Sequence, residues 1–275
     1  MAYEQPGGGP LDYHPCRHGN SKLLFRGPKR AIRERYCAII GGSETYGKYV
    51  RDPYPALVER VLGRMVLNLG CMNAGADVLL NEPVFLDLAA PADVTVIQVL
   101  GAHNLSNRFY SVHPRRNDRF LHASHVLRTL YPEVDFTEFH YTRHLLQTLR
   151  RVSIARYELI EQELKAAWVA RMRQTLHMIP GPTVLLSIGD HRAHSPIRSD
   201  LWPAPFFIDA EMLANVGRKA SALVRFQPSA AACSAGTEGM FFAPLDAPAA
   251  AELPGPQVHA EIAETLAPVL ARYLK

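Results

Sequence analysis

Tyr36-Cys37-Ala38-Ile39-Ile40 is followed at once by Gly41-Gly42-Ser43-Glu44-Thr45, a hydroxyl set directly behind an apolar β-type run and two glycines. A buried strand ending this way carries its hydroxyl into the crevice at the sheet's carboxyl edge, where open α/β sheets bind ligands. Ser43 could act there as a nucleophile if a nearby imidazole takes its proton, as a phosphate ligand, or only as part of a turn. The same stretch fits G-x-x-x-x-G-K through Lys48, with Tyr49 in place of the Ser or Thr that would hold magnesium. A phosphate cradle without magnesium therefore competes with nucleophilic chemistry. Arg108, Arg115, Arg116 and Arg119 suit an anionic ligand under either reading.

The histidine pairs His140/His144, His122/His125 and His191/His194 lack an HExxH frame, and the four cysteines form no CxxC pair. No metal site is expected from them. Asp190-His191 ends an apolar run; Asp190 is a candidate acid, and His191 reads as a solvated loop residue. Phe109, Tyr110 and Phe120 interleave with the arginines, but no nucleic-acid motif accompanies them.

Alternating apolar strands and helices must position these groups. Strands are expected at about 36–41, 65–69, 94–100, 183–188 and 221–226. Helices are expected at about 55–63, from the end of a turn at 73–77 to Ala90 with an interruption at Pro83, over 141–179 with a break near Ser153, at 210–219, and from 258 to 273 with a kink at Pro268. Strands so uniformly apolar suit a parallel sheet covered on both faces. The fold class is α/β, three layers, with a five-stranded, mainly parallel, doubly wound sheet. Residues 1–35 read as an irregular arm, 36–275 as one domain, and 102–140 as an irregular insertion or lid over the carboxyl edge.

The chain has 275 residues, 48% of them hydrophobic and 20% charged, with net charge +4. That is an ordinary globular composition with a slight preference for anionic partners. No secretory leader or membrane-length apolar run is evident. A cytoplasmic protein is expected, with its cysteines as free thiols.

Four stretches fall at strand ends or at the last helix: Gly41-Gly42-Ser43, Asn68-Leu69-Gly70, Gly101-Ala102-His103-Asn104 and Pro256-Gln257-Val258-His259. In order and context the chain resembles the SGNH (GDSL) hydrolases from about Tyr36 to Leu270. The resemblance implies Ser43 as nucleophile, the Gly70 N–H with Asn104 or His103 as oxyanion donors, and His259 as general base. The chain departs from the family pattern in having Gly-Gly-Ser for GDS, His103-Asn104 for Asn-Asp, and Pro256 where an acid should orient His259. A backbone carbonyl or a carboxylate from elsewhere could orient His259 instead, and Asp190 is one candidate. The implied activity is that of a serine esterase or O-acyltransferase, without cofactor, on a small or carbohydrate-type ester. Arg108, Arg115 and Arg116 would favour an anionic substrate; no nucleic-acid or membrane partner is expected. A transferase resembling sulfotransferases, using the GSETYGK loop, and a non-catalytic scaffold on the same fold are the alternatives.

Overall fold

The computed structural model describes residues 11–32, 35–192 and 204–274. Part of the proline-rich loop after the fourth sheet strand, with His194, lies outside them. In chain order the elements are β1 (Tyr36–Gly41), α1 (Ser43–Tyr46), α2 (Tyr54–Leu62), β2 (Met65–Gly70), α3 (Ala76–Asn81), α4 (Val84–Ala89) and β3 (Val94–Gln98). Next come β4 (Tyr110–His113), β5 (Arg116–Ala123), α5 (His125–Leu130), α6 (Thr142–Val152), α7 (Ile154–Met178) and β6 (Thr183–Ile188). The chain continues with α8 (Ala210–Gly217), β7 (Ala222–Phe226), α9 (Ala230–Ala235), α10 (Ala247–Ala250) and α11 (Pro256–Ala271).

Five strands form one sheet in the order β2-β1-β3-β6-β7, and every pairing is parallel. Strand residues alternate between the two faces. Cys37, Ile39, Val94 and Val96 join Tyr54, Val58, Ile262 and Leu266 of α2 and α11 in one apolar cluster. Ala38, Ile40 and Ile97 join Leu79 of α3 and Trp168 and Met172 of α7 in the other. Burial on both faces explains why the strands read as unbroken apolar runs. The strand order reverses around β1 and β3, so the topological switch point lies at their carboxyl ends, beside Ser43.

Residues 102–140 are not irregular. They contain the antiparallel hairpin β4–β5 and helix α5, packed by the buried side chains Leu105, Phe109, Tyr110, Phe120 and Leu127. The signal was obscured because a bulged hairpin breaks the period-two alternation. The long helical region does break at Ser153, whose hydroxyl accepts from the Arg156 N–H and starts α7. The last helix begins at Pro256, two residues earlier than expected, and runs through Pro268. Trp168 of α7 is fully buried and donates from Nε1 to the Leu100 carbonyl at 2.8 Å, anchoring the segment that leaves β3. In the N-terminal arm, the Tyr13 hydroxyl accepts from the Tyr49 N–H, which ties Asp12-Tyr13-His14 to the fold by packing. No helix among the described residues is long and apolar enough to cross a membrane.

Candidate active site

Ser43 is the first residue of α1, and Gln98 sets the turn before it. The Gln98 Oε1 accepts from the Gly42 N–H at 2.9 Å and from the Thr45 hydroxyl at 2.6 Å, while its Nε2 donates to Glu44 at 2.9 Å. A Cβ at Gly41 would overlap Thr45 Oγ1 and Gln98 Oε1, so the first glycine is needed for close approach. Ser43 Oγ then faces the loop after β2 and accepts from the Asn73 N–H at 3.2 Å. Asn73 holds φ at +60°, in the left-handed region that Asn tolerates.

That loop is held by Asn117 of β5, which is fully buried. Its Oδ1 accepts from the N–H groups of Gly75 and Val78 at 2.9 and 3.1 Å, its Nδ2 donates to the His113 carbonyl, and its own N–H donates to the Asn73 carbonyl. Asn117→Ala should lower stability by roughly 1–3 kcal/mol, because it strands buried backbone donors. Chemical denaturation, with Asn117→Asp as the partner variant that keeps the acceptor, would measure this. Loss on Asn117→Ala no larger than for an exposed Asn would refute the anchoring role.

A cavity of about 190 Å³ lies over the switch point, lined by Ser43, Asn73, Gln98, His103, Asn104, Asp118, His191 and Arg192 and closed by Leu100 and Phe206. The His103 imidazole is pushed down to about 3 by burial and by the nearby Arg143 guanidinium, so it is neutral at pH 7. Its ring packs edge-on to Phe206 at 4.9 Å, and its Nδ1 has no partner among the described residues. A buried lone pair without a partner costs less than a buried N–H without one, which assigns the proton to Nε2. Asn104 accepts at Oδ1 from the Thr142 hydroxyl at 2.6 Å. Asp118 presents an unpartnered Oδ1, and burial raises its carboxyl above the ordinary range.

His191 differs from the solvated loop residue its sequence context suggests. It lines this cavity and is half-buried rather than solvated, with Nε2 buried and unpartnered among the described residues. Burial, then the Arg192 charge, lowers it below 6.5, against opposing pulls from Glu44, Asp190 and Glu252. The strand-end rule that singles out His103 after β3 applies equally to His191 after β6. Asn73 could have been marked as an Asn in a tight turn, and Asp118 carried no signal.

Other expected site residues fall elsewhere. His259 is buried in the α2–α11 contact, 1% exposed, and stacked on Tyr54. Its Nδ1 accepts from the Tyr54 N–H at 3.1 Å. In a neutral ring whose Nδ1 accepts, Nε2 carries the proton and offers no lone pair, so His259 is not poised as a general base. The Gly70 N–H donates to Asn68 Oδ1 at 2.9 Å rather than toward Ser43. A Cβ there would overlap the backbone at Thr45 and Tyr46, so Gly70 serves the packing of α1 on β2.

Asp190 does not orient His259. It accepts from the Arg192 backbone N–H at 2.9 Å and from Arg192 Nε at 3.0 Å, which fixes that guanidinium beside the cavity. Burial alone would raise its carboxyl, but the hydrogen bonds from Arg192 outweigh this and lower it. Arg108 pairs with Glu163 at 3.3 Å and lines a separate surface depression with Phe109 and Leu159. Arg115, paired with Glu82 at 3.5 Å, and Arg116 line a groove that Ser43 also borders.

Several backbone donors of the GSETYGK loop are turned inward. Its N–H groups at Tyr46, Gly47 and Lys48 donate back to Gly42 and Ser43 carbonyls, and that of Gly42 goes to Gln98. A cradle needs such donors converging on one point outside the loop. Among the described residues no group of three or more His, Cys, Asp or Glu is placed to hold a metal ion.

The model of a family described as a domain of unknown function, DUF6473, matches residues 1–274. No curated protein matches the chain. Among solved structures, the salicylyl-acyltransferase SsfX3 from a tetracycline biosynthetic pathway aligns at 13% identity with a TM-score of 0.40, over 89% of this chain and 57% of that one. The chain thus spans little more than half of that protein's length. A protein assigned to the G-D-S-L lipolytic family from Desulfitobacterium hafniense DCB-2 aligns at 13% identity with a TM-score of 0.35, over 88% of this chain and 100% of that one.

Proposed function

The chain belongs to the DUF6473 family, and we propose that it transfers acyl groups through Ser43, as an SGNH-like serine esterase or O-acyltransferase. The observation that carries the reading is Ser43 Oγ at the switch point, 3.2 Å from a backbone N–H donor and in one cavity with two imidazoles. Ser43 attacks the ester carbonyl and passes its proton to His191 Nε2. The carbonyl oxygen becomes an oxyanion that accepts from the Asn73 N–H, His103 Nε2–H and the Asn104 amide. Collapse breaks the ester C–O bond, and the leaving alcohol takes the proton from His191. Water or an acceptor hydroxyl then attacks the acyl-serine by the reverse sequence, which regenerates Ser43.

This assignment moves the base from His259 to His191 and one oxyanion donor from Gly70 to Asn73. A neutral imidazole is a better oxyanion donor than its unusual place suggests, because it brings an N–H without adding a charge that would bind ground-state carboxylates. Labelling with a fluorophosphonate tests the reading. Wild-type protein is expected to label on Ser43, and Ser43→Ala is expected to abolish labelling. Well-folded wild type that remains unlabelled and hydrolyses no p-nitrophenyl acetate would reject acyl transfer in favour of a binding role.

A further inference from the structure

Ser43 stands at the meeting of two spaces. The cavity of about 190 Å³ lies on one side, and a groove of about 590 Å³ opens on the other, with Ser43, Asn73 and Glu252 bordering both. The groove is walled by Lys22, Lys48, His113, Arg115 and Arg116. Its carboxylate, Glu252, is already engaged by Arg143 at 3.3 Å and Arg192 at 2.7 Å. Arg115 shares its charge with Glu82, but no carboxylate among the described residues lies within ion-pair distance of Lys22, Lys48 or Arg116. The Lys48 ammonium rests over the Tyr49 ring at 4.5 Å, which holds it near the groove wall. His113 Nδ1 accepts from the N–H groups of Arg115 and Arg116 at 3.2 Å, which leaves Nε2 as the donor end of that ring.

We propose that this groove binds a phosphate monoester carried on the alcohol portion of the substrate. The proposal rests on the acyl-transfer reading for the word substrate. Cations drawn from three parts of the chain converge on one side of the nucleophile, Lys22, Lys48 and Arg116 among them without an ion-paired carboxylate among the described residues, and a dianion relieves their mutual repulsion. A phosphate monoester carries about −1.5 to −2 at pH 7 and three acceptor oxygens. The groove lies within the ~300–1,000 Å³ range of small-molecule sites, whereas the cavity beyond Ser43 falls below it. The division places a phosphorylated polyol or sugar in the groove and a short acyl group in the cavity, with the ester carbonyl between them at Ser43.

Glycerol 3-phosphate is the probe, with glycerol and glycerol sulfate beside it, and calorimetric titration at two salt concentrations is the readout. Wild type is expected to bind glycerol 3-phosphate more tightly than the sulfate, to ignore glycerol, and to weaken as salt rises. The variant Lys22→Ala/Lys48→Ala/Arg116→Ala is expected to lose about 30-fold in affinity, and Arg116→Lys alone to lose much less. The KM for acetylated glycerol 3-phosphate should rise in the triple variant by a similar factor, with kcat nearly kept. No binding by wild type, or equal binding by a well-folded triple variant, overturns the groove. Binding that persists in Ser43→Ala, with no turnover of any ester by wild type, would overturn acyl transfer and leave the phosphate site standing.

Discussion

His191→Gln is expected to slow fluorophosphonate labelling of Ser43 by about 10²–10⁴-fold, while His259→Gln slows it less than about tenfold. The two histidines differ in what their second nitrogen can do. His191 lines the cavity and its buried Nε2 is unpartnered among the described residues, while the His259 ring has its acceptor nitrogen fixed on Tyr54. Gln at position 259 can still accept the Tyr54 N–H through its amide oxygen. Gln at position 191 cannot take up a proton. The pH profile separates a base from a structural neighbour. His191 titrates below 6.5, because burial and Arg192 lower it. Labelling should therefore be flat above pH 6.5 and fall only on the acid side, and that acid limb should vanish in His191→Gln. A His259→Gln variant that loses labelling as completely as Ser43→Ala, with its fold intact, would return the base to His259.

The second large effect is on stability. His259 is neutral in the folded protein, pushed down to about 3 chiefly by burial, with Arg26 and His191 adding to the shift. Unfolded, it would titrate near the ordinary 6.5. A lowered folded pKa means that the unfolded chain binds the proton first. The contribution is complete above pH 6.5 and is lost as pH falls from 6.5 toward 3, at up to about 1.4 kcal/mol per pH unit. Urea unfolding of wild type between pH 7 and pH 5 should therefore lose roughly 2 kcal/mol more than unfolding of His259→Gln over the same range. The difference between the two proteins isolates this group from His103, which also resists protonation but opens to the cavity. Parallel pH profiles for the two proteins would show that position 259 tolerates charge and that the helix contact is open to water.

The sheet was legible because its signal is local. Each strand is a run of apolar residues, and each ends at a glycine or turn that any reading of period and composition finds. Ser43 was legible for the same reason, since Gly41 and Gly42 mark a place where backbone and side chains approach too closely for a Cβ. The hairpin β4–β5 was hidden by its bulge, and the hydrogen-bond role of Asn117 links it to a loop about forty residues earlier in the chain.

Which histidines line the cavity with Ser43 is decided by tertiary structure. The motif order pointed to His259, at the start of the last helix. The rotation of α11 about its axis, however, is set by packing Val258, Ile262 and Leu266 against α2, and that packing turns His259 to the Tyr54 N–H, 205 residues away in sequence. Gly70 was misplaced in the same way: its N–H is taken by a side chain two residues earlier, and the donor facing Ser43 comes from Asn73 in left-handed backbone. Sequence determined the strands, their glycine ends and the serine at the switch point, because each depends on neighbours along the chain. Only the tertiary structure decided which donor and which imidazole share its cavity, because a hydrogen-bonding group is available to a site only after every nearer partner has been counted.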